Sequence, residues 1–341
     1  MGPTGDKYRV VQIHPTRRCN LRCLHCYSAS APEERDRLPV PLLRDAITDA
    51  AAEGYSVASF SGGEPLLYKP LGDLLEHAHA CGLATTITSN GMLLNEARAE
   101  MLRGRVDLLA ISLDGSPDAH NWLRAHDRAF EIMESHLEFV RKAGIPFGFI
   151  FTLTQYNVDQ LEWVAEFAIK QGAKLLQIHP LEESGRAGLA MRGHQPDQTE
   201  CTYAYIEAER IRKFAGEKVV VQLDLVHRGL LHAIPDRLLA DLPECLDLER
   251  PLSGLVSPLV IEADGEVVPL TYGFARQYSL GNLTCARLQE LAKGWRESGY
   301  QAFRKLCRLA YEEASAPREM PYFDWYEAVG RRAERLVSIS A

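Results

Sequence analysis

The feature that most constrains this 341-residue chain is a regular alternation, over its first half, of short β-branched or apolar runs with longer stretches of helical period. Such alternation calls for βα units, because a parallel strand needs a long crossover before its neighbour can pair. Strands are expected at 8–14, 57–61, 84–89, 108–113, 147–154 and 175–179, with helices at 41–53, 71–81, 96–102, 129–143 and 158–171. Six such units fit an α/β fold, a partial (β/α)6 TIM-like barrel occupying residues 1–190. Beyond it the rhythm changes. A polar stretch at 185–198 leads into a helix at 199–214, and short strands follow at 219–223, 258–262 and 266–269. Ala263-Asp264-Gly265 forms a hairpin turn between the last two, so residues 191–341 read as a small α+β C-terminal extension.

Hydrophobic residues make up 46% of the chain, enough for a sizeable core, and the formal charge of −8 comes with scattered Lys and Arg. That balance excludes the basic footprint of a nucleic-acid binder. Residues 1–7 are polar and no later window is apolar enough to span a bilayer, so a cytoplasmic protein without a membrane partner is expected. Eight cysteines are too sparse for a disulfide scaffold, and three of them, Cys19, Cys23 and Cys26, fall within eight residues directly after the first expected strand. Barrel active sites lie at that end of the strands. Three thiolates from one loop suit an iron-sulfur cluster whose fourth iron has no protein ligand. A zinc knuckle, completed by His14 or His25, is the alternative. The Cys-x3-Cys-x2-Cys spacing weighs against it, since structural zinc sites pair close doublets.

With this loop the chain resembles the radical S-adenosylmethionine (SAM) superfamily, whose Cys-x3-Cys-x-φ-Cys loop follows the first barrel strand; His25 stands at φ, among the cofactor-binding residues. The resemblance implies one [4Fe-4S] cluster on Cys19, Cys23 and Cys26. SAM would bind at its open iron and be cleaved reductively to a 5′-deoxyadenosyl radical. Ser61-Gly62-Gly63-Glu64-Pro65 resembles the family's GGE motif, which receives the SAM amino group, with Glu64 as the charged partner. Ser89 and Asn90 after the third strand, and Ser112 and Asp114 after the fourth, are implied SAM contacts, although short polar residues there also cap helices. Arg124 aligns with an arginine that reaches the SAM carboxylate, and Gly185-Arg186-Ala187 resembles a segment that approaches the adenine-ribose side.

The hairpin region resembles a SPASM or Twitch extension, in which Gly-x4-Cys supplies an auxiliary-cluster ligand. Here Gly265 leads to Leu270, and residues 250–256 hold no cysteine. Cys245, Cys285 and Cys307 are widely spaced, so no second cluster is expected. Extensions of this kind occur mostly in maturases of ribosomally made peptides, and the splicease type, which excises tyramine to leave an α-keto-β-amino acid, is the subtype implied. A precursor peptide, a small leader-recognition partner protein and an external electron donor such as flavodoxin or ferredoxin are the implied partners. A peptide needs no basic propionate-binding patch; a haem-maturing or other tetrapyrrole enzyme, and a non-catalytic iron-sulfur redox protein, are the alternatives. His14, His179 and Tyr272 are candidates for moving a proton or hydrogen atom, and packing in the core or behind the site is the bland reading of the two histidines. The aromatic and Arg residues between Tyr322 and Arg335 are expected to form a terminal helix that docks its aromatic face.

Overall fold

The computed structural model describes residues 8–233, 238, 242–244, 247, 249–316 and 321–340. In chain order the first half runs β1 (Val10–Ile13), α1 (Val40–Ala52), β2 (Val57–Phe60), α2 (Leu71–Ala80), β3 (Ala84–Ser89), α3 (Glu96–Leu102), β4 (Leu108–Ser112), α4 (Pro117–Arg124), α5 (Ala129–Lys142), β5 (Phe147–Leu153), α6 (Leu161–Gln171) and β6 (Leu175–Pro180). There follow α7 (Ala187–Ala190), α8 (Gln198–Ala215), β7 (Val220–Leu223), β8 (Val226–His227), β9 (Leu259–Ile261), β10 (Glu266–Pro269), β11 (Gly281–Asn282), α9 (Leu288–Ser298), α10 (Tyr300–Ser315), β12 (Tyr322–Phe323) and α11 (Trp325–Ser340).

The six expected units are present, with β1 to β6 parallel and in sequence order. The sheet does not stop there. Strand β7 adds in parallel to β6, and at the other edge β9 adds in parallel to β1, carrying β10 and β11 antiparallel beyond it. The boundary expected at residue 190 therefore does not interrupt the sheet: segments from the extension close both of its flanks.

Alternation along each strand divides the sheet into two faces. Val11, Ile13, Phe60, Ile87, Leu109, Ile111, Phe149, Phe151, Leu176 and Ile178 are fully buried under the helices. Truncating one such phenylalanine to alanine costs about 3–5 kcal/mol. The intervening positions are smaller or polar and half-buried: Gln12 lies opposite Ser59, Ser59 opposite Thr86, and Thr152 opposite His179. This polar row ends at the C-terminal edge, where the loops gather. The row also curls, because Arg186, after β6, bonds to the loop that follows β1.

The C-terminal elements behave as the apolar pattern requires. Helix α9 is tied to α1 through Arg287 and Asp49, 2.6 Å apart, and Trp325, Val329 and Ala333 bury one face of α11 at i, i+4, i+8 spacing. Leu270, where the extension family places a thiol, is buried and holds a left-handed φ of 67°. Cys307 is buried in α10, Cys285 is exposed, and Cys245 lies outside the described residues. No described helix is long and apolar enough to cross a membrane.

Candidate active site

Strand β1 delivers the chain to the cysteine loop, and the two glycines after β2 make room for it. Gly62 has φ 113°, and a Cβ on it would sit 2.7 Å from the Thr16 carbonyl; one on Gly63 would collide with the Arg18 carbonyl. The backbone uses that closeness, since Gly63 N donates to Thr16 O and Glu64 N to Arg18 O, both at 2.9 Å. The third member of the motif turns inward as well. Glu64 is fully buried and accepts from Ser89 Oγ at 3.0 Å, Leu66 N at 3.1 Å and Asn90 N at 2.9 Å. Burial raises its pKa against these three donors. Its carboxylate locks the end of β3 to the end of β2.

Asn90, so held, carries the order onward to sulfur. Its Nδ2 donates to Asn20 Oδ1 at 2.9 Å and lies 3.8 Å from Cys19 Sγ. Leu21 N is 3.4 Å from the same sulfur, and Ser28 Oγ is 3.5 Å from Cys26 Sγ. Arg124 Nη1 approaches Cys23 Sγ at 3.9 Å. Each sulfur therefore has a donor beside it. Burial pushes the Cys19 thiol up to about 12, with Glu64 adding to the rise, and burial raises Cys23 against the pull of Arg124.

Asp114 and Arg124, expected as separate SAM contacts, are bonded to each other, with Arg124 Nε 2.6 Å from Asp114 Oδ2 and both groups buried. Burial opposes ionisation of Asp114, but Arg124, with His25 and His120 beside it, outweighs this and holds the carboxyl at about 2. Thr152 N and Asn157 Nδ2 bond to Asp114 Oδ1 and its carbonyl. The pair is a rigid strut from β4 through α4 to Cys23. Ser112 is buried at the end of β4. His25 Nε2 is 3.9 Å from Asp114 Oδ2; burial first, and then Arg124, lowers its pKa to about 4, and its Nδ1 has no partner.

Arg186 was expected near an adenine-ribose. In the structure it clamps the cysteine loop, donating to the carbonyls of Cys23 at 3.0 Å, Ala29 at 3.2 Å and Ser30 at 2.8 Å. His14 and Tyr272 do come together, rings stacked at 4.8 Å, with Tyr27 edge-on to both. Burial lowers His14 to about 3, and both its ring nitrogens lack partners. His179 is paired with carboxylates. Its Nδ1 is 3.2 Å from Asp224 Oδ2 and its Nε2 3.3 Å from Glu182 Oε1. Asp224, Glu182 and Asp324 were missed in the sequence because nothing in their spacing announces that they meet. Asp324 and Glu183 also line, with Arg331, Arg332 and Arg335, a cavity of about 420 Å³ to which the cysteine loop contributes no residue.

Residues 13–168 match the family described as the Radical SAM superfamily. Among curated relatives, the Fe-coproporphyrin III synthase of Methanosarcina barkeri is 29% identical over 82% of this chain and 72% of its own length. The PqqA peptide cyclase of Ruegeria pomeroyi is 28% identical over 74% of this chain and 65% of its own. Among solved structures, Streptococcus suis SuiB bound to S-adenosylmethionine superposes with a TM-score of 0.68 and 17% identity over 87% of this chain and 68% of that one. The same protein has been solved with its precursor peptide SuiA. Residues 13–168 are thus similar to a radical SAM domain.

Proposed function

We propose that this chain holds one [4Fe-4S] cluster on Cys19, Cys23 and Cys26, binds SAM beside it, and modifies a ribosomally made precursor peptide. When bound, the pair supplies a 5′-deoxyadenosyl radical able to abstract hydrogen from an unactivated carbon. The chain's own residues do the rest. Asn90, Arg124 and the Leu21 amide temper the charge on the sulfurs, as donors near cluster ligands do. Glu64 and Asp114 fix those donors, and Arg186 fixes the loop. The partnerless nitrogens of His14 and His25 are buried polar atoms that a bound molecule would satisfy. His14 and Tyr272, stacked beside Tyr27, are the groups placed to pass a proton or hydrogen atom at the end of β1.

The observation that carries the peptide reading is the charge balance of the cavity beside the barrel mouth. A tetrapyrrole brings propionates and needs unpaired cations. Here Arg331 sits 2.7 Å from Glu327, and Arg332 and Arg335 lie 3.8 and 3.1 Å from Glu313. The likeness to SuiB, which extends past the barrel, supports the same reading. A tyramine-excising splicease, with a separate leader-binding partner and a flavodoxin or ferredoxin donor, is the form proposed. The test is anaerobic incubation of the reconstituted protein with SAM, reductant and candidate precursor peptides, followed by mass spectrometry. Peptide-dependent 5′-deoxyadenosine with a tyramine-sized loss is the expected result. A tetrapyrrole substrate is the second reading, favoured by the Fe-coproporphyrin III synthase relative. Turnover that iron-coproporphyrin stimulates and no peptide does would replace the first reading with the second.

A further inference from the structure

Three carboxylates converge on one imidazole at the end of β6. His179 Nδ1 faces Asp224 Oδ2 at 3.2 Å, and Asp224 is itself held by Gln177 Nε2 at 2.6 Å and Gln222 Nε2 at 2.7 Å. On the far side of the ring, Nε2 faces Glu182 Oε1 at 3.3 Å. The third carboxylate, Asp324, comes from a distant part of the chain, and its ligand atom lies within 4.8 Å of those of His179 and Glu182. One of its oxygens caps α11, accepting from Tyr326 N at 2.8 Å and Glu327 N at 3.2 Å. The other, Oδ2, is buried with no partner, in a residue only 6% exposed.

An imidazolium could neutralise Asp224 and Glu182, but it leaves Asp324 Oδ2 buried without a partner, the cost of an unmade hydrogen bond. A cation removes that cost. We propose that His179 Nε2, Glu182 and Asp324 bind one divalent first-row metal ion, with Asp224 accepting the Nδ1 proton and so fixing the ring. One nitrogen and two carboxylate oxygens suit Zn²⁺, Mn²⁺ or Fe²⁺ better than Mg²⁺ or Ca²⁺, which favour all-oxygen shells. The 3.3 Å between His179 and Glu182 is already the edge expected for ligands on a tetrahedral ion with ~2.0–2.1 Å bonds, roughly 3.3 Å. A carboxylate behind the ligating histidine is the usual means of fixing its tautomer. Three protein ligands leave a position open to water or a substrate oxygen. The ion also fastens the start of α11, a wall of the cavity of about 420 Å³, to the end of β6.

The site is independent of the thiols, so its test stands whether or not the peptide reading does. Full-length, cluster-loaded protein is stripped of loosely held metal and titrated with Mn²⁺ under argon, free Mn²⁺ being read from its six-line paramagnetic signal. Mn²⁺ is chosen because thiolates bind it poorly. One Mn²⁺ per chain is expected, displaced by Zn²⁺. Asp324→Asn, which keeps the cap on α11, abolishes binding, and Asp224→Asn weakens it ~10–100-fold. Circular dichroism and iron content serve as controls that both variants fold. Wild-type protein with no saturable Mn²⁺ or Zn²⁺ binding, or folded Asp324→Asn that binds as tightly as wild type, overturns the proposal.

Discussion

At the end of β1 polar groups bring donors to sulfur; at the end of β6 they bring acceptors to an imidazole. The first region is built from buried pairs already satisfied within the protein, Glu64 with Ser89 and Asn90, and Asp114 with Arg124. What it leaves open is soft: three thiols with N–H groups beside them. The second region gathers Asp224, Glu182 and Asp324 and leaves an oxygen open. Neighbouring loops of one barrel edge are thus prepared for different metals, and Arg186, four residues after Glu182, is the mechanical link between them. The lesson concerns where a motif's acids go. The carboxylates that the family pattern marks as ligand contacts, Glu64 and Asp114, are bonded to protein partners, while the unmarked Asp324 keeps a buried oxygen without one.

The comparison breaks most completely if the thiols are removed. Cys19→Ala, Cys23→Ala or Cys26→Ala is expected to cut iron from about four per chain to near zero and to abolish 5′-deoxyadenosine formation, read by mass spectrometry, with the fold retained. Intact SAM cleavage in any of the three would end the cluster assignment. Next in size is the support beneath Cys23. Asp114→Asn leaves the Arg124 guanidinium buried without its counter-charge, a loss of about 3–5 kcal/mol measurable by urea unfolding. If Asp114 were instead a SAM contact with no supporting role, stability would stay put and only SAM affinity would fall.

Much of the first region was legible because its parts are contiguous. Cys19 to Cys26 is one loop after one strand, and each βα unit announces itself by its own period. Glu64 and Asp114 were found at the strand ends without their protein partners, since a sequence places a carboxylate there without saying which neighbouring strand or helix it bonds. The flanks of the sheet were not legible. Strand β9 pairs with β1 through Val11 and Leu259, and nothing local to either segment encodes a parallel pairing at such separation. Strand β7 was seen as a strand but assigned to the extension, although it pairs with β6. His179 was noticed without its partners for the same reason: Asp224 follows β7 and Asp324 precedes α11, so the cluster exists only once both are folded against β6.

Acid sharpens the contrast at the next lower magnitude. Burial lowers His14 and His120 to about 3, the latter against the pull of Asp114. Both rings stay neutral in the fold while the unfolded chain takes up protons below its ordinary histidine pKa, so the unfolded state binds more protons there. Stability is therefore full above about pH 6.5 and falls as pH drops toward 3, by roughly 1.4 kcal/mol per pH unit for each ring. Urea midpoints at pH 7 and pH 5 test this, and His120→Asn should flatten the profile. An unchanged slope in that variant would mean the ring is protonated in the fold.

The smallest effect belongs to the cavity's arginines. Arg335 lies 3.1 Å from Glu313 with more than half of its side chain exposed, and water screens such a pair to roughly 0–1 kcal/mol. Arg335→Ala should leave the unfolding midpoint nearly unchanged, and with a peptide substrate it should leave kcat/KM within about twofold, a change of less than 0.5 kcal/mol. An anionic tetrapyrrole would behave differently, because a charged contact to a buried propionate is worth about 1.5–3 kcal/mol and its loss would raise KM at least tenfold. A variant this quiet in stability and this loud in KM would show that Glu313 releases the arginine to substrate, and the charge balance that favours a peptide would then be a property of the resting protein alone.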